Sequence, residues 1–249
     1  TYLNNLTSDS FFEADEVQFK LQQILAALPE KQRHIFQLKY FDDLKFNEME
    51  AILEIKEGTL KTSYYATVKY IKENAFYGCS SLTSVNMPNS VVDIDSYAFS
   101  GCRALTSIII PNITKNIREG AFLDCTSLES IIIPDSVWNI GDFVFKNCTA
   151  LKGATIGDKV EDINISTFEN CTALKNVIIG NSVKNINASA FKNCTALKSV
   201  TIGSSVEKIY DYTFQNCTDI TSVISLNPIP PDLEHADIFS PNIYNNATL

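Results

Sequence analysis

A 23-residue spacing between cysteines constrains this chain more than any other feature of its 249 residues. All seven cysteines follow this spacing, and a phenylalanine precedes each of them by three residues. The cysteines are Cys79, Cys102, Cys125, Cys148, Cys171, Cys194 and Cys217. A fixed period of this length, with apolar positions held and other positions varied, indicates a solenoid in which each coil buries its apolar face only against its neighbours.

Each repeat carries a short strand signal after its cysteine. In the third repeat, Ile131 and Ile133 are two residues apart and Pro134 follows, whereas later repeats have glycine in the place of this proline. A spacing of two is strand periodicity, and proline or glycine ends the strand. Because neighbouring strands lie about 4.8 Å apart, seven coils predict a rod roughly 34 Å long with parallel apolar ladders as its core.

These columns resemble the BspA-like leucine-rich repeats, whose pattern is a Val, an Ile, an Ala-Phe pair, a Cys and a Leu ahead of a short strand ending in Pro. The resemblance covers about residues 68 to 240. It implies a curved solenoid that binds proteins or surfaces, commonly in bacterial cell-surface proteins, and it implies no catalytic residues.

The cysteines and histidines do not suggest a metal site or a catalytic centre. No cysteine lies in a Cys-x-x-Cys or Cys/His cluster, and the two histidines, His34 and His235, are far from the repeated cysteines in sequence. No glycine-rich phosphate loop follows a strand. We therefore expect a non-enzymatic protein without metal or other cofactor, whose cysteines are buried, reduced packing residues.

Four of the cysteines follow an asparagine and precede a threonine, which also matches the N-glycosylation sequon. These asparagines are Asn147, Asn170, Asn193 and Asn216. Since they recur in register beside a buried column, we expect them to form a hydrogen-bonded ladder between coils and not to serve as glycan acceptors.

Residues 1 to about 70 lack the repeat and show helical patterns. The expected helices are a first one ending near Ala27, a second from Pro29, a third over FNEMEAILEI and a fourth from Thr59 past Lys69, after a break at Lys56-Glu57-Gly58. In the third helix, Met49, Ile52 and Leu53 are expected to point inward. The last two helices predict a helix-turn-helix.

The helical part resembles region four, the promoter-binding region, of bacterial extracytoplasmic-function sigma factors over about residues 10 to 73. The matching segments are Leu28 to Arg33, Tyr40-Phe41, Glu48-Met49 with Ile52-Leu53, and Glu57 to Lys61. In that family the last helix enters the major groove, so the resemblance implies promoter DNA or RNA polymerase as a partner. By position, the candidate DNA contacts are Thr59, Lys61, Thr62, Ser63, Tyr65 and Lys69.

The charge balance predicts that isolated DNA binding is weak. The whole chain has a formal net charge of -9, and residues 1 to 74 hold nine Lys and Arg against twelve Asp and Glu, a net of -3. Neutralisation of phosphate charge supplies most non-specific affinity for DNA.

The two parts meet at Val68-Lys69-Tyr70-Ile71, which fits both the end of the last helix and the Val-x-x-Ile register of the repeat. We predict an α+β multidomain chain: an all-α helix-turn-helix domain over residues 1–70 that caps a leucine-rich-repeat solenoid over 71–249, with a truncated C-terminal cap. Either an engineered fusion or a natural recombination that preserved both folds would give such a junction.

The outward positions of the predicted strands are the candidate protein-binding surface. They include the apolar Ile109, Ile132 and Ile178 and, two residues before the first two, Ser107 and Ser130. Such isoleucines either mark a contact surface or reflect the strand propensity of the residue type, and the sequence leaves both interpretations open.

Two functions therefore remain. In the first, the solenoid binds proteins or cell surfaces and the helical domain is its cap; in the second, the helical domain contacts promoter DNA or polymerase. The first implies a surface or secreted location and the second a cytoplasmic one, so the location is left open. No membrane-spanning segment is apparent, and membrane insertion is not expected.

Overall fold

The computed structural model describes residues 22, 25–73, 76–234 and 238. The chain divides into two compact units, Thr1–Ala75 and Phe76–Leu249. The predicted end of the chain after residue 238, including the truncated cap, lies outside the described residues. Among the described residues, no helix is both long enough and apolar enough to cross a membrane.

The first unit contains three helices after a helical stretch at residues 25–27: α1 (Glu30–Tyr40), α2 (Phe46–Leu53) and α3 (Glu57–Glu73). The predicted helix-turn-helix is confirmed by α2 and α3. The predicted start of α3 at Thr59 is wrong, because the turn lies earlier. Glu54 takes a left-handed conformation (φ 54°) and ends α2, and the Glu50 carboxylate accepts the backbone N–H of Glu57 at the start of α3.

Two small clusters form the core of this unit. Ile35, Met49 and Leu60 are buried together, and Leu25, Leu28 and Phe36 form the second cluster. Tyr64 packs against both of them. The expectation that Ile52 points inward is wrong, since 60% of it is exposed. Met49 and Leu53 occupy the inner face at positions i and i+4, which turns Ile52 about 100° away from Leu53.

The second unit is a solenoid with two short strands in each coil. Over the described residues these strands pair in parallel with equivalent strands of neighbouring coils and form four sheets. The first strands of the coils are β1 (Ser84–Val85), β3 (Ser107–Ile108), β5 (Ser130–Ile133), β7 (Gly153–Ile156), β9 (Asn176–Ile178), β11 (Ser199–Ile202) and β13 (Ser222–Ser225). The second strands are β2 (Asp93–Ile94), β4 (Asn116–Ile117), β6 (Asn139–Ile140), β8 (Asp162–Ile163), β10 (Asn185–Ile186), β12 (Lys208–Ile209) and β14 (Asp232–Leu233). The predicted stack of about seven coils is confirmed.

The pairing register equals the sequence period. Ile131 pairs with Ala154, Ala154 with Val177, and Val200 with Val223. Strands β5, β7, β9, β11 and β13 form one five-stranded sheet, which we call the main sheet. In the last coil Lys208 pairs with Asp232, 24 residues later, so that coil is one residue longer.

The core of the solenoid is a phenylalanine stack beside a cysteine column. Consecutive rings from Phe76 to Phe214 are stacked with centroids 5.0 to 5.4 Å apart. Each buried thiol donates a hydrogen bond to the phenylalanine carbonyl of the preceding coil, as Cys171 does to Phe145 at 3.1 Å. Burial raises the pKa of the Cys171 thiol, which keeps its proton available for this bond. The cysteines are reduced thiols and, except for the half-buried Cys79, buried, as predicted.

The predicted asparagine ladder is confirmed. The side-chain amide of Asn170 donates to the side-chain oxygen of Asn147 at 2.8 Å, and Asn147 donates to Asp124 at 2.7 Å. Asn193 and Asn216 continue the ladder at 2.7 Å. Each of these asparagines has a positive φ of 61° to 63°. Asparagine tolerates the left-handed region better than most residues, so its recurrence at this turn has a backbone reason.

The glycines that end the later strands are required by close approach of the coils. A Cβ on Gly180 would lie 2.3 Å from the carbonyl oxygen of Gly157, and a Cβ on Gly203 would lie 2.2 Å from that of Gly180. Gly153, at the start of β7, has more room, since its nearest neighbour would be the Asn176 carbonyl oxygen at 4.0 Å.

Replacement of these glycines should therefore have opposite consequences. We expect Gly180→Ala to lower the free energy of unfolding of the solenoid by about 1–3 kcal/mol, because the coils must separate to admit the methyl group. The matched Gly153→Ala change should leave stability within about 0.5 kcal/mol or raise it slightly. Urea unfolding followed by the fluorescence of the single tryptophan, Trp138 in the solenoid, measures both. Equal losses in the two variants would contradict the close approach of the coils at Gly180.

Candidate functional site

An exposed column of isoleucine and threonine runs across the main sheet. Pairing places Ile132 beside Thr155, Thr155 beside Ile178, Ile178 beside Thr201, and Thr201 beside Ile224. Ile132 is 69% exposed and Ile178 is 52% exposed, although Ile131, Ile133 and Val177 on either side of them in the strands are buried. The strand alternation thus turns Ile132 and its equivalents outward, together with the residue two positions earlier in each coil, as the sequence predicts.

The structure places the five predicted protein-binding residues on exposed positions of the first strands or next to them. Ser130 and Ile132 lie in β5, and Ile178 lies in β9 of the same sheet. Ser107 lies in β3 of the preceding coil, and Ile109 follows that strand with 83% of its surface exposed. Strand β3 belongs to a separate two-stranded sheet with β1. The main sheet therefore brings Ser130, Ile132 and Ile178 together, whereas Ser107 and Ile109 extend the surface by one coil.

A groove of about 530 Å³ follows this column along the solenoid. One side is lined by Ile132, Thr155, Ile178 and Thr201, and Leu226 also lines it. The other side is formed by the turns that follow the strands and is lined by Asn112, Asp135, Asp158 and Asn181. The strand pattern in the sequence predicts only the strand positions of this surface and does not reveal its acidic side. The signal was present, because the residue after each strand-ending Pro or Gly is Asp or Asn in these coils.

Backbone donors hold the aspartates of the groove in place. One carboxylate oxygen of Asp135 accepts the backbone N–H of Asp158 at 2.8 Å, and one of Asp158 accepts the N–H of Asn181 at 2.8 Å. A carboxylate has two oxygens and several acceptor sites, so each side chain can still bind a cationic partner group. Lys159 is exposed in the same turn as Asp158 but does not line the groove.

Three exposed lysines lie where the strands of the main sheet begin, at the opposite end of the strands from the aspartates of the groove. We call this row of lysines the lysine edge. Lys152, Lys175 and Lys198 are exposed and occupy equivalent positions in three successive coils. Their backbones are directly stacked, with the Lys175 N–H bonded to the Lys152 carbonyl at 2.9 Å and the Lys198 N–H bonded to the Lys175 carbonyl at 2.8 Å. Lys152 pairs with Glu129 at 2.9 Å, whereas Lys175 and Lys198 form no ion pair with any described residue. Like charges side by side on neighbouring strands destabilise each other, so folding stability does not explain this edge.

The predicted DNA contacts lie on α3 in the first unit. Thr59, Lys61, Thr62 and Tyr65 are exposed, Ser63 is half-buried, and Lys69 lies in the helix with its side chain outside the described part of the chain. Lys61 and Tyr65 are four residues apart, which places them on one side of the helix. Tyr65 is 60% exposed and its ring is near that of Phe46.

The positive charge of Lys61 on this helix is offset by a neighbouring carboxylate. The ammonium of Lys61 lies 2.6 Å from the carboxylate of Glu57, and this hydrogen-bonded carboxylate raises the pKa of Lys61. The Thr62 hydroxyl already donates to the Gly58 carbonyl at 2.9 Å. Glu57 itself lies in the first turn of α3, where the helix dipole favours an acidic side chain. This arrangement weakens attraction to phosphate, in the direction that the charge count predicts.

The described residues do not provide a metal centre. Within residues 22, 25–73, 76–234 and 238, no three His, Cys, Asp or Glu side chains group as metal ligands would. The cysteine thiols are engaged with backbone carbonyls, and burial raises the pKa of Cys148 and Cys194. These protonated thiols are poor nucleophiles and poor ligands.

Comparison with known families matches both units. The family model of the BspA type leucine rich repeat region matches residues 55–175 and 139–230, with six copies of the repeat. The model of Sigma-70, region 4 matches residues 18–70. No curated protein matches the chain.

Solved structures of bacterial leucine-rich-repeat proteins are similar to the solenoid. A leucine-rich repeat protein from Eubacterium ventriosum has 30% identity and a TM-score of 0.55, over 56% of this chain and 38% of that protein. The leucine rich repeat protein of T. pallidum has 33% identity and a TM-score of 0.52, over 59% of this chain and 69% of that protein. The chain thus spans less than half the length of the Eubacterium protein.

Proposed function

Because the chain belongs to the BspA-type leucine-rich-repeat family, we propose that its solenoid is a non-enzymatic binding module that docks a protein partner on the exposed face of the main sheet. The observation that carries the proposal is the column from Ile132 to Ile224, in which exposed isoleucines alternate with the methyl-bearing Thr155 and Thr201 and which crosses all five strands of that sheet. We call it the apolar column. Exposed apolar surface that is contiguous and rimmed by polar groups is typical of protein contact sites.

The second set of strands offers no comparable surface. From β2 to β12 its outward residues are polar, and several of them already bond to each other, as Asn185 does to Asp162 at 2.7 Å and Asn116 to Asp93. If strand propensity alone selected the exposed residues, isoleucine would be equally suitable on both sets of strands. Among the described strands, exposed isoleucine occurs in the first set and not in the second, which favours the interpretation as a contact surface.

A photo-crosslinking amino acid at Thr155, in the middle of the column, tests the proposal in the source cells. We expect it to form an adduct with a discrete protein, identified by mass spectrometry, and we expect Ile132→Ser with Ile178→Ser to abolish the adduct because the apolar contact is lost. The same crosslinker at Asn139, on the exposed side of β6, is the control. Absence of an adduct at Thr155, or an equal adduct at Asn139, would contradict docking on the main sheet.

A second candidate function, contact with promoter DNA or RNA polymerase, is supported by the match of residues 18–70 to Sigma-70 region 4. The exposed side of α3 that carries Lys61 and Tyr65 is the surface that would enter a major groove. The ion pair of Lys61 with Glu57 predicts low affinity for isolated DNA.

Fluorescence anisotropy with labelled duplex DNA in a salt series tests this candidate. If α3 contacts phosphate, Lys61→Ala with Lys69→Ala should weaken binding and reduce the slope of log affinity against log salt by about 2. Lys115→Ala with Lys159→Ala removes the same charge from the solenoid and should change the slope far less. No binding at low salt would contradict DNA contact by this domain and leave it with the cap role predicted from the sequence.

A further inference from the structure

We propose that the partner presents an amphipathic α-helix lying along the solenoid axis, with acidic residues against the lysine edge and basic residues against the aspartates of the groove. The proposal rests on the proposed function, because it names the chemistry of the partner at the same surface. Three features of the main sheet carry it: the spacing of the apolar column, its distance from the two charged edges, and the opposite sign of those edges.

The spacing of the column matches a helix. One exposed residue per coil repeats every 4.8 Å or so, and an α-helix repeats its contact side every 5.4 Å or so per turn. Over the four steps from Ile132 to Ile224 the two periods drift apart by only about 2.4 Å, less than half a turn. A helix of about 13 residues covers this length of about 19 Å.

The charged edges lie at equal distances from the column. Lys175 is three residues before Ile178 in its coil, and Asn181, which continues the aspartate column, is three residues after it. At about 3.3 Å per residue, each edge lies about 10 Å from the apolar centre. A helix is 10–12 Å or so across with its side chains, so each flank extends about 5–6 Å toward an edge. The remaining distance of about 4–5 Å is within reach of a lysine side chain with its four-carbon stem, from the solenoid at one edge and from the partner at the other.

A helix fits this surface better than an extended segment does. The backbone N–H and C=O groups within the main sheet bond to neighbouring coils, so the face of the sheet presents side chains and not free backbone groups. An extended peptide laid on this face would leave its own backbone groups without partners, and burying such groups is costly. A helix satisfies its backbone internally.

The charges also select the direction of the helix. The aspartates belong to the coils of β5 and β7, whereas the lysines without ion pairs belong to the coils of β9 and β11. A complementary helix is therefore acidic near β11 and basic near β5, on opposite flanks. Because acidic residues stabilise a helix N-terminus and basic residues its C-terminus, the favoured helix begins over β11 and ends over β5.

The test uses two stapled helical peptides of about 14 residues with the same composition and the same leucine stripe. In the segregated peptide, Glu occupies the flank of the N-terminal half that faces the lysine edge when the helix begins over β11. Lys occupies the opposite flank of the C-terminal half, which then faces the aspartates of the groove. In the interleaved peptide, Glu and Lys alternate on both flanks. Exchanging Glu for Lys throughout is not a control, because that peptide fits the same site after reversing its direction.

Titration of the full chain by fluorescence anisotropy should show that the segregated peptide binds roughly five- to thirtyfold more tightly than the interleaved one, from several exposed charge pairs. Lys175→Glu with Lys198→Glu should remove this preference and favour a peptide with Lys on both flanks. Lys184→Glu with Lys208→Glu makes the same charge change elsewhere on the solenoid and should retain the preference. Trp138 fluorescence verifies that each variant is folded.

Equal affinity for the two peptides overturns the proposal, and so does a preference that survives Lys175→Glu with Lys198→Glu. If neither peptide binds while the crosslinker at Thr155 captures a partner, the helix proposal fails and the protein-binding function stands. If neither peptide binds and no partner is captured at Thr155, both fail.

Discussion

The contact between phenylalanine and cysteine of adjacent coils is the interaction on which the solenoid depends. The backbone of Phe145 is bound twice by the following coil: its N–H donates to the Thr167 carbonyl at 2.8 Å, and its carbonyl accepts the thiol of Cys171 at 3.1 Å. Its ring meanwhile stacks on Phe168. Within its own coil the Phe145 carbonyl also accepts the Cys148 N–H at 3.2 Å, and a carbonyl has a second acceptor site, which the Cys171 thiol fills from the next coil. The thiol does so without the desolvation cost of a more polar side chain. The Phe-x-x-Cys spacing therefore fixes one coil on the next.

The surface follows from this stacking. Once the coils are in register, residues at the same position of successive repeats lie in one column. When such a column repeats one residue type, it forms a continuous apolar or charged strip on the surface. Isoleucine and threonine accumulate in the centre of the main sheet, lysine where its strands begin, and aspartate and asparagine where they end. The same rule explains the asparagine ladder, in which Asn170 takes a left-handed turn and bonds to Asn147. The residues that stabilise the solenoid and the residues proposed to bind a partner therefore occupy different columns of one repeat.

The period predicts the parts of the fold that depend on repetition. It gives the coil length, the inward cysteines, the outward Ile132 and Ile178, and the ladder of Asn170 with Asn147. It does not give the acceptor of the thiols, because that acceptor is a backbone carbonyl 26 residues away. The early start of α3 and the exposure of Ile52 were missed for a related reason: single contacts of Glu50 and Leu53 decide them, and no repetition reveals such contacts. The acidic side of the groove could not be predicted from the strand pattern, because it is formed by the turns that follow the strands.

Thiol labelling of the native protein tests the Phe–Cys contact most directly. With a small maleimide and mass spectrometry of each site, we expect the half-buried Cys79 to react first, while Cys148, Cys171 and Cys194 react only at the common rate at which the solenoid unfolds. Increasing urea should raise those three rates together. If any of the three reacts as fast as Cys79 in the absence of urea, the thiols are not held against the neighbouring coil, and the stacking described for the solenoid is wrong.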